Sequence, residues 1–497
     1  MKVISVRSMQ EWEQLALAQE ATVSSLMEEA VTGMHQVLNH WLPDALPWLF
    51  LCGKGNNGND GLWLAWLLEQ EGKHVAAIRA DSSSILPELE QGPVGTMAAK
   101  AMVWPERGLE AIYQDRPVIV VDALLGLGVK GAPRGVTAEI IRWASKRKKP
   151  TDIHVSVDIP SGLDADEGKV YPTAFLADHT CMIGAIKKGA LEDNARVAVG
   201  QLHAIPISLQ TPCPQKEEAC FFDKQETRRI ISLPHAATYK NRQGRLAIVG
   251  GCLGMSGAIV LAARAGLRSG SGLVHAFVPE EIIDLVAVQT PEVITQGVSG
   301  ELLPDSILSM DAIVCGPGMG RSAQALCWLE MVLKKAQCPI LLDADALNLL
   351  AENVDLLKEA QAPVVLTPHM GEMQRLLGKN FTERGQAIPE WLHLLEGMKD
   401  VTLVLKGPNT LVIGPRREIS YNATGNFAMA TAGMGDTLSG IIGGLCAQKY
   451  DPCKAARLGV WWHGASADHA MLKNRSITLL ASDVIDSMGK AWQSIWV

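Results

Sequence analysis

Ile153-His154-Val155-Ser156-Val157-Asp158 is a short, largely apolar run that ends on a carboxylate. Two earlier runs behave alike: residues 47–52 (P-W-L-F-L-C) lead into Gly53, and residues 118–122 (V-I-V-V-D) end on Asp122. Each has the length of a strand, and longer helix-like segments lie between them. That alternation is the signature of a buried parallel sheet wrapped by helices. Ligands of open α/β sheets bind beyond the carboxyl ends of the strands, so these glycines and carboxylates are the first candidates for a site.

Working outward, residues 206–220 are proline-rich, polar and without a clear period, and read as a linker. The alternation then restarts. Arg245-Leu246-Ala247-Ile248-Val249 runs into Gly250-Gly251, and Ala312-Ile313-Val314-Cys315 into Gly316-Pro317-Gly318. Ile340-Leu341-Leu342 meets Asp343, Val364-Val365-Leu366 meets Thr367-Pro368-His369, and Thr402-Leu403-Val404-Leu405 meets Lys406. Two α/β domains, 1–212 and 213–497, follow from the break, and a chain of 497 residues is too long for one ordinary core.

The bulk properties narrow the class. Hydrophobic content of 47% with 20% charged residues fits a globular protein, and a net charge of −8 argues against a general nucleic-acid or anionic-membrane binder. The basic run Lys146-Arg147-Lys148-Lys149 reads as a helix C-terminus, where cations are favoured. Ten scattered cysteines without a C-x-x-C pair read as free thiols in a reducing compartment. With no signal-peptide pattern and no apolar span, a cytoplasmic location is expected.

Two glycine-rich turns carry the chemistry. Thr431-Ala432-Gly433-Met434-Gly435-Asp436 precedes a small-residue apolar helix. Glycines there let a backbone approach phosphate, and the helix N-terminus favours its charge. Asp436 either takes a proton from a hydroxyl being phosphorylated or caps the helix. Lys406-Gly407-Pro408-Asn409-Thr410 offers a cation, amides and a hydroxyl; its alternative is a hairpin with a surface lysine. In the first half, Gly53-Lys54-Gly55-Asn56-Asn57-Gly58-Asn59-Asp60-Gly61 lies between a strand and an apolar segment, which suits phosphate or ribose. Asp122 and Asp158 end neighbouring strands, and oxygen donors without sulfur or histidine suit a hard cation.

Taken together, the second half from about residue 220 resembles the ribokinase-like NAD(P)H-hydrate dehydratases. The resemblance rests on Gly254 to Ile259, Leu267 to Val274, G-P-G-M-G at 316–320, D-A-D-A-L-N at 343–348, T-P-H-M-G-E at 367–372, K-G-P-N-T at 406–410 and A-G-M-G-D at 432–436. It implies a ribokinase-like three-layer fold, a hydrated NADH or NADPH as substrate, and ADP as co-substrate. It further implies that Ala258, Gly318, His369 and Asp436 contact the hydrate, and that Lys406, Gly407, Pro408, Asn409, Thr410 and Gly435 contact the adenine nucleotide. Magnesium is expected, because phosphoryl transfer needs charge neutralisation.

Residues 10–210 resemble the NAD(P)H-hydrate epimerases through the 53–61 loop, Asp122 to Gly126 and Asp158 to Gly162. This implies a Rossmann-like three-layer domain. It implies that Asn57, Asp122 and Ser161 hold potassium, and that Asn56, Asn57, Gly58, Asn59 and Asp60 contact the hydrate. Gly126, Leu127, Gly128, Val129, Lys130, Gly131, Ala132 and Asp158 would complete its site. Asp158 is the candidate acid/base, and Lys187 matches a family lysine expected at a phosphate. Asn59 stands where the family motif has glycine; asparagine tolerates a left-handed backbone, so the turn is expected to survive with a side chain intruding on the site. Leu127 also departs from the family pattern. The expected partners are the small molecules NADH hydrate, NADPH hydrate and ADP, with no nucleic acid or membrane, in a homo-oligomer. Two other readings stay open: a vitamin or sugar kinase of the ribokinase type, and a non-catalytic N-terminal scaffold.

Overall fold

The strands Trp48–Cys52 and Ile119–Ala123 are buried at every position, as strands covered on both faces must be. They run parallel, in register from Trp48 with Ile119 to Cys52 with Ala123. The computed structural model that shows this describes residues 1–19, 21–81, 89–105, 116–214, 219–232, 240–398, 400–474 and 477–496. The chain divides into two compact units, Met1–Phe221 and Phe222–Val497. Both are α/β.

In the first unit, Val75–Arg79 and Met102–Val103 extend the parallel sheet on one side; Ile153–Val157, His179–Ile183 and Gln201–Ile205 extend it on the other. Helices Val23–Trp41 and Asn56–Gln70 pack on one face, and Gly135–Arg147 on the opposite one. Chain order reverses between Trp48–Cys52 and Ile119–Ala123, which opens a crevice beyond their carboxyl ends. The short strand Lys2–Ile4 pairs with Ile186–Lys187 in parallel and with Ala219–Phe221 antiparallel. That pairing ties Phe221 to the first unit. The linker reading at 206–220 falls partly on residues 215–218, outside the described residues; 206–214 contains no helix or strand.

The second unit repeats the logic with a larger sheet. Its parallel strands stand in the order Ile294–Val298, Leu273–Pro279, Arg245–Val249, Ala312–Cys315, Ile340–Leu342, Val364–Leu366 and Val401–Leu405. An antiparallel pair, Thr410–Ile413 and Ile419–Asn422, continues it. All five strand ends read from the sequence therefore open on one edge. Helices Ser256–Arg268, Met434–Ala447 and Pro452–Asn474 cover one face, while Ala323–Lys335, Asp345–Glu352 and Met370–Leu377 cover the other.

Glycine sets the depth of Met434–Ala447. A Cβ on Gly440 would stand 2.1 Å from the Ala262 carbonyl oxygen, and one on Gly443 2.3 Å from Val314 Cγ2. The helix lies against sheet and neighbour at backbone distance, and its first turn is held accordingly. The basic run is a helix end: Lys146 and Arg147 occupy the last turn of Gly135–Arg147. All ten cysteines are free thiols. Among the described residues, no helix is long and apolar enough to cross a membrane.

Candidate active sites

The glycine–asparagine stretch of the first unit is mostly not a loop. Helix Asn56–Gln70 begins inside it, capped by Gly55 at φ +101°, and Asn59 donates its backbone N–H to the Gly55 carbonyl (3.1 Å). Asn59 is thus helical, not left-handed, and its side chain is buried outside the cavity lining, which corrects both expectations for it. The glycines serve close approach: a Cβ on Gly58 would sit 2.0 Å from the Gly53 carbonyl oxygen, and one on Gly53 1.8 Å from that of Leu124.

This packing frames a cavity of about 420 Å³ at the chain reversal. Asn56, Asn57 and Asp60 line it from the helix; Gly126, Leu127, Gly128 and Val129 line it from the turn after Ile119–Ala123; Asp158 lines it from the next strand end. Lys130, Gly131 and Ala132 continue that turn without lining the cavity. Burial, then the charges of Asp158 and Glu13, push the Asp60 carboxyl well above the usual carboxylate range.

Asp122, Asn57 and Ser161 come together behind the cavity. The Ser161 hydroxyl donates to Asp122 Oδ1 (2.7 Å), the Leu125 N–H donates to the Ser161 hydroxyl (3.0 Å), and Asn57 Nδ2 donates to the Leu125 carbonyl (2.8 Å). Asn57 Oδ1 is buried and has no hydrogen-bond partner among the described residues, an oxygen donor of the kind a hard cation takes.

Asp158 sits at φ +61°, a conformation that costs about 1–3 kcal/mol outside glycine. Its Oδ1 accepts from Lys187 Nζ (2.5 Å) and from the Ile183 N–H (3.1 Å). Lys187 also donates to the Ile183 carbonyl (2.7 Å) and is only 1% exposed. The expectation that Lys187 meets a phosphate is therefore corrected: its ammonium is enclosed and committed to Asp158.

In the second unit the left-handed Gly433 (φ +87°) caps Met434–Ala447, and Asp436 lies two residues inside the helix start, so the capping reading of Asp436 fails. Its carboxyl is pushed up to about 6 by burial and by Asp343, against Lys406. Lys406 Nζ donates to Asp343 Oδ1 (2.7 Å) and lies 3.8 Å from Glu372 Oε2. Asp343 Oδ2 accepts from the Ser439 hydroxyl (2.7 Å). Burial would raise the Asp343 carboxyl, but Lys406 and Ser439 outweigh it and hold it below the usual range. Gly435 leaves room for this group: a Cβ there would stand 3.3 Å from Lys406 Nζ.

The remaining expected residues surround that cluster. Lys406 does open a hairpin turn, between Val401–Leu405 and Thr410–Ile413, but its side chain is mostly buried. Gly407 and Pro408 are exposed, Asn409 is buried at φ +54°, and the Thr410 hydroxyl donates to the Gly407 carbonyl (2.8 Å). His369 bridges to Lys406 by backbone pairing and caps Met370–Leu377: its Nδ1 accepts from the Gly371 and Glu372 N–H groups. Gly318 is left-handed (φ +60°), and a Cβ on it would press on Ala258 Cβ (3.1 Å), so these two also meet. The sequence marks Asp343 and Glu372 as carboxylates at strand ends without giving them a role, and it does not single out Ser439 or, in the first unit, Glu13. Glu13 has no motif around it.

Each unit thus places a carboxylate and a buried lysine at the carboxyl edge of a parallel sheet, the plan of an α/β small-molecule enzyme in duplicate. Residues 246–490 match the family described as NAD(P)H-hydrate dehydratase, and residues 23–189 match the YjeF-related protein N-terminus. The chain is 35% identical over 480 residues to the bifunctional NAD(P)H-hydrate repair enzyme Nnr of Escherichia coli, covering 94% of this chain and 89% of that one. Against its counterpart in Moorella thermoacetica it is 35% identical over 471 residues, covering 88% and 86%. Among solved structures, an ADP/ATP-dependent NAD(P)H-hydrate dehydratase from Bacillus subtilis, co-crystallised with ATP and Mg2+, shares 30% identity at a TM-score of 0.48 and covers 56% of this chain and 99% of its own. The chain belongs to the family of bifunctional NAD(P)H-hydrate repair enzymes.

Proposed function

We propose that the first unit interconverts the R and S epimers of NADH or NADPH hydrate, and that the second dehydrates the S epimer with ADP, giving AMP and phosphate. The observation that carries the second half is Asp436, a half-buried carboxyl pushed up to about 6 beside a lysine already neutralised by Asp343. A base of that pKa is ionised at neutral pH yet still accepts a proton. Asp436 takes the proton of the hydrate hydroxyl as the β-phosphoryl group of ADP is transferred to it. The ring nitrogen's lone pair then expels phosphate, a far better leaving group than hydroxide, and the dihydronicotinamide is restored.

The residues that would hold the adenine nucleotide are Lys406, Gly407, Pro408, Asn409, Thr410 and Gly435, with Ala258, Gly318 and His369 at the hydrate. Magnesium accompanies nucleotides in such reactions. Among the described residues no three His, Cys, Asp or Glu side chains are arranged to hold a metal. Potassium fits the first unit better: Asn57, with its unpartnered Oδ1, Asp122 and Ser161 would hold it, and it would supply a fixed positive charge beside the cavity. Asp158, whose Oδ1 accepts from Lys187 Nζ, is the acid/base of the epimerisation.

The test mixes both epimers of NADH hydrate with the protein and ADP and follows the dihydronicotinamide absorbance. Complete, ADP-dependent recovery is expected. Recovery of only one epimer, with the other lost at its spontaneous rate, would make the first unit a scaffold; no recovery would remove the dehydratase reading.

A further inference from the structure

A second, smaller cavity of about 80 Å³ shares part of its wall with the cavity beside Asp158. Its lining is largely apolar and includes Leu17, Val23, Leu26, Met27 and Ile207. Glu13, Asn56, Asp60 and Ile183 line both cavities. The small one is below the roughly 150 Å³ that holds a benzene-sized ring. The hydrate's ring therefore belongs in the larger cavity of about 420 Å³, which Glu13 and Asp158 both line.

We propose that Glu13 is a second catalytic residue of the epimerase, the proton donor to the hydroxyl that leaves the ring. This assignment rests on reading the first unit as the epimerase. Local contacts place Glu13. Lys2–Ile4 pairs with Ile186–Lys187, the Val6 N–H donates to Asp166 Oδ1 (2.7 Å), and helix Val6–Gln19 carries Glu13 to the wall shared by the two cavities and Leu17 to the apolar lining of the smaller. The charged groups that face Glu13 are Lys187 and Asp158 from the strand ends and Asp60 from the neighbouring helix; Lys54 lines the larger chamber. Burial raises the Glu13 carboxyl, Lys187 opposes that, and Asp158 adds to it, which favours the protonated form a donor needs. Asp158 Oδ1 accepts from Lys187 Nζ (2.5 Å), and Asp158 takes the part of the base.

The step balances with water alone. The ring nitrogen's lone pair forms the C=N bond as the ring carbon–oxygen bond breaks, and the Glu13 proton goes to the departing oxygen, giving water and an iminium ion. Water adds to the other face, its proton goes to Asp158, and cavity water returns that proton to Glu13. Two carboxyl groups, one protonated and one ionised, are the usual means of exchanging a hydroxyl across a ring carbon.

The experiment measures epimerisation of R-hydrate by the full-length wild type and by Glu13→Gln, Glu13→Asp, Asp60→Asn and Asp158→Asn across pH. Glu13→Gln is expected to lower kcat by about 100-fold or more, with KM within about threefold. The wild-type rate should fall as pH rises through the Glu13 pKa; Glu13→Gln should lose that limb and Glu13→Asp should keep it. A wild-type kcat in Glu13→Gln, a loss confined to KM, or a limb that disappears only with Asp60→Asn overturns the assignment. If Glu13→Gln no longer binds hydrate, Glu13→Asp decides, since the absence of the limb there also overturns it. Loss of rate in Asp158→Asn with full rate in Glu13→Gln removes only this assignment; a wild type no faster than the spontaneous reaction removes the epimerase reading as well.

Discussion

Lys187 and Lys406 are both buried lysines at the carboxyl edge of a parallel sheet, yet they serve opposite neighbours. In the first unit Lys187 grips the candidate base itself, through Asp158 Oδ1. In the second, Lys406 is gripped by Asp343, which Ser439 also holds, and the candidate base Asp436 is left with a raised pKa of about 6. A lysine paired directly with the candidate base gives it a fixed counter-charge; a lysine paired elsewhere leaves burial to raise the base. The same two residue types at strand ends of both units therefore give a directly paired base in one and a base raised by burial in the other.

The comparison breaks most visibly at Asp436. Asp436→Asn should lower ADP-dependent dehydration by about 100- to 10,000-fold and leave epimerisation of the R-hydrate at the wild-type rate, read from single-epimer progress curves. Next in size is Lys187→Met, which strands Asp158 as a buried, unpaired carboxylate. It should destabilise the first unit by about 3–5 kcal/mol in denaturant unfolding, the usual penalty for removing one partner of a buried pair. A smaller effect is expected at Gly440, where a methyl group meets the Ala262 carbonyl at 2.1 Å. Gly440→Ala should destabilise the second unit by about 1–3 kcal/mol through overpacking and slow dehydration by displacing the helix that carries Asp436. The smallest is Asn59→Gly, which should cost about 0.5–1 kcal/mol because the position is helical; a gain in stability would instead point to a left-handed turn.

Much of this was legible in the sequence, and the parts that were not share a physical reason. Strands such as Arg245–Val249 and Ala312–Cys315 stand where their apolar runs placed them, because a strand buried on both faces writes itself as a continuous run. The motifs also marked the turns that line each site. Their backbone form was misread at residues 53–61, since glycine signals either a left-handed φ or a close approach, and only neighbours in space tell Gly55 from Gly58. Lys187 is expected at a phosphate only through the family resemblance; its partner Asp158 is 29 residues away, and no local pattern marks the pair. Asp343 and Ser439, 96 residues apart, are likewise unmarked as a pair. Glu13 lies on a helix whose sequence carries no chemical pattern, and its place on the cavity wall follows from the pairing of Lys2–Ile4.

The most direct test of Asp436 as the tuned base is the pH profile of ADP-dependent dehydration of the S-hydrate, measured as kcat for the wild type and Asp436→Asn. The base acts ionised, so wild-type kcat should rise with pH through about 6 and then level off, while Asp436→Asn should show only a low rate without that limb. A limb near that value retained in Asp436→Asn, or a variant as fast as the wild type, would contradict the account.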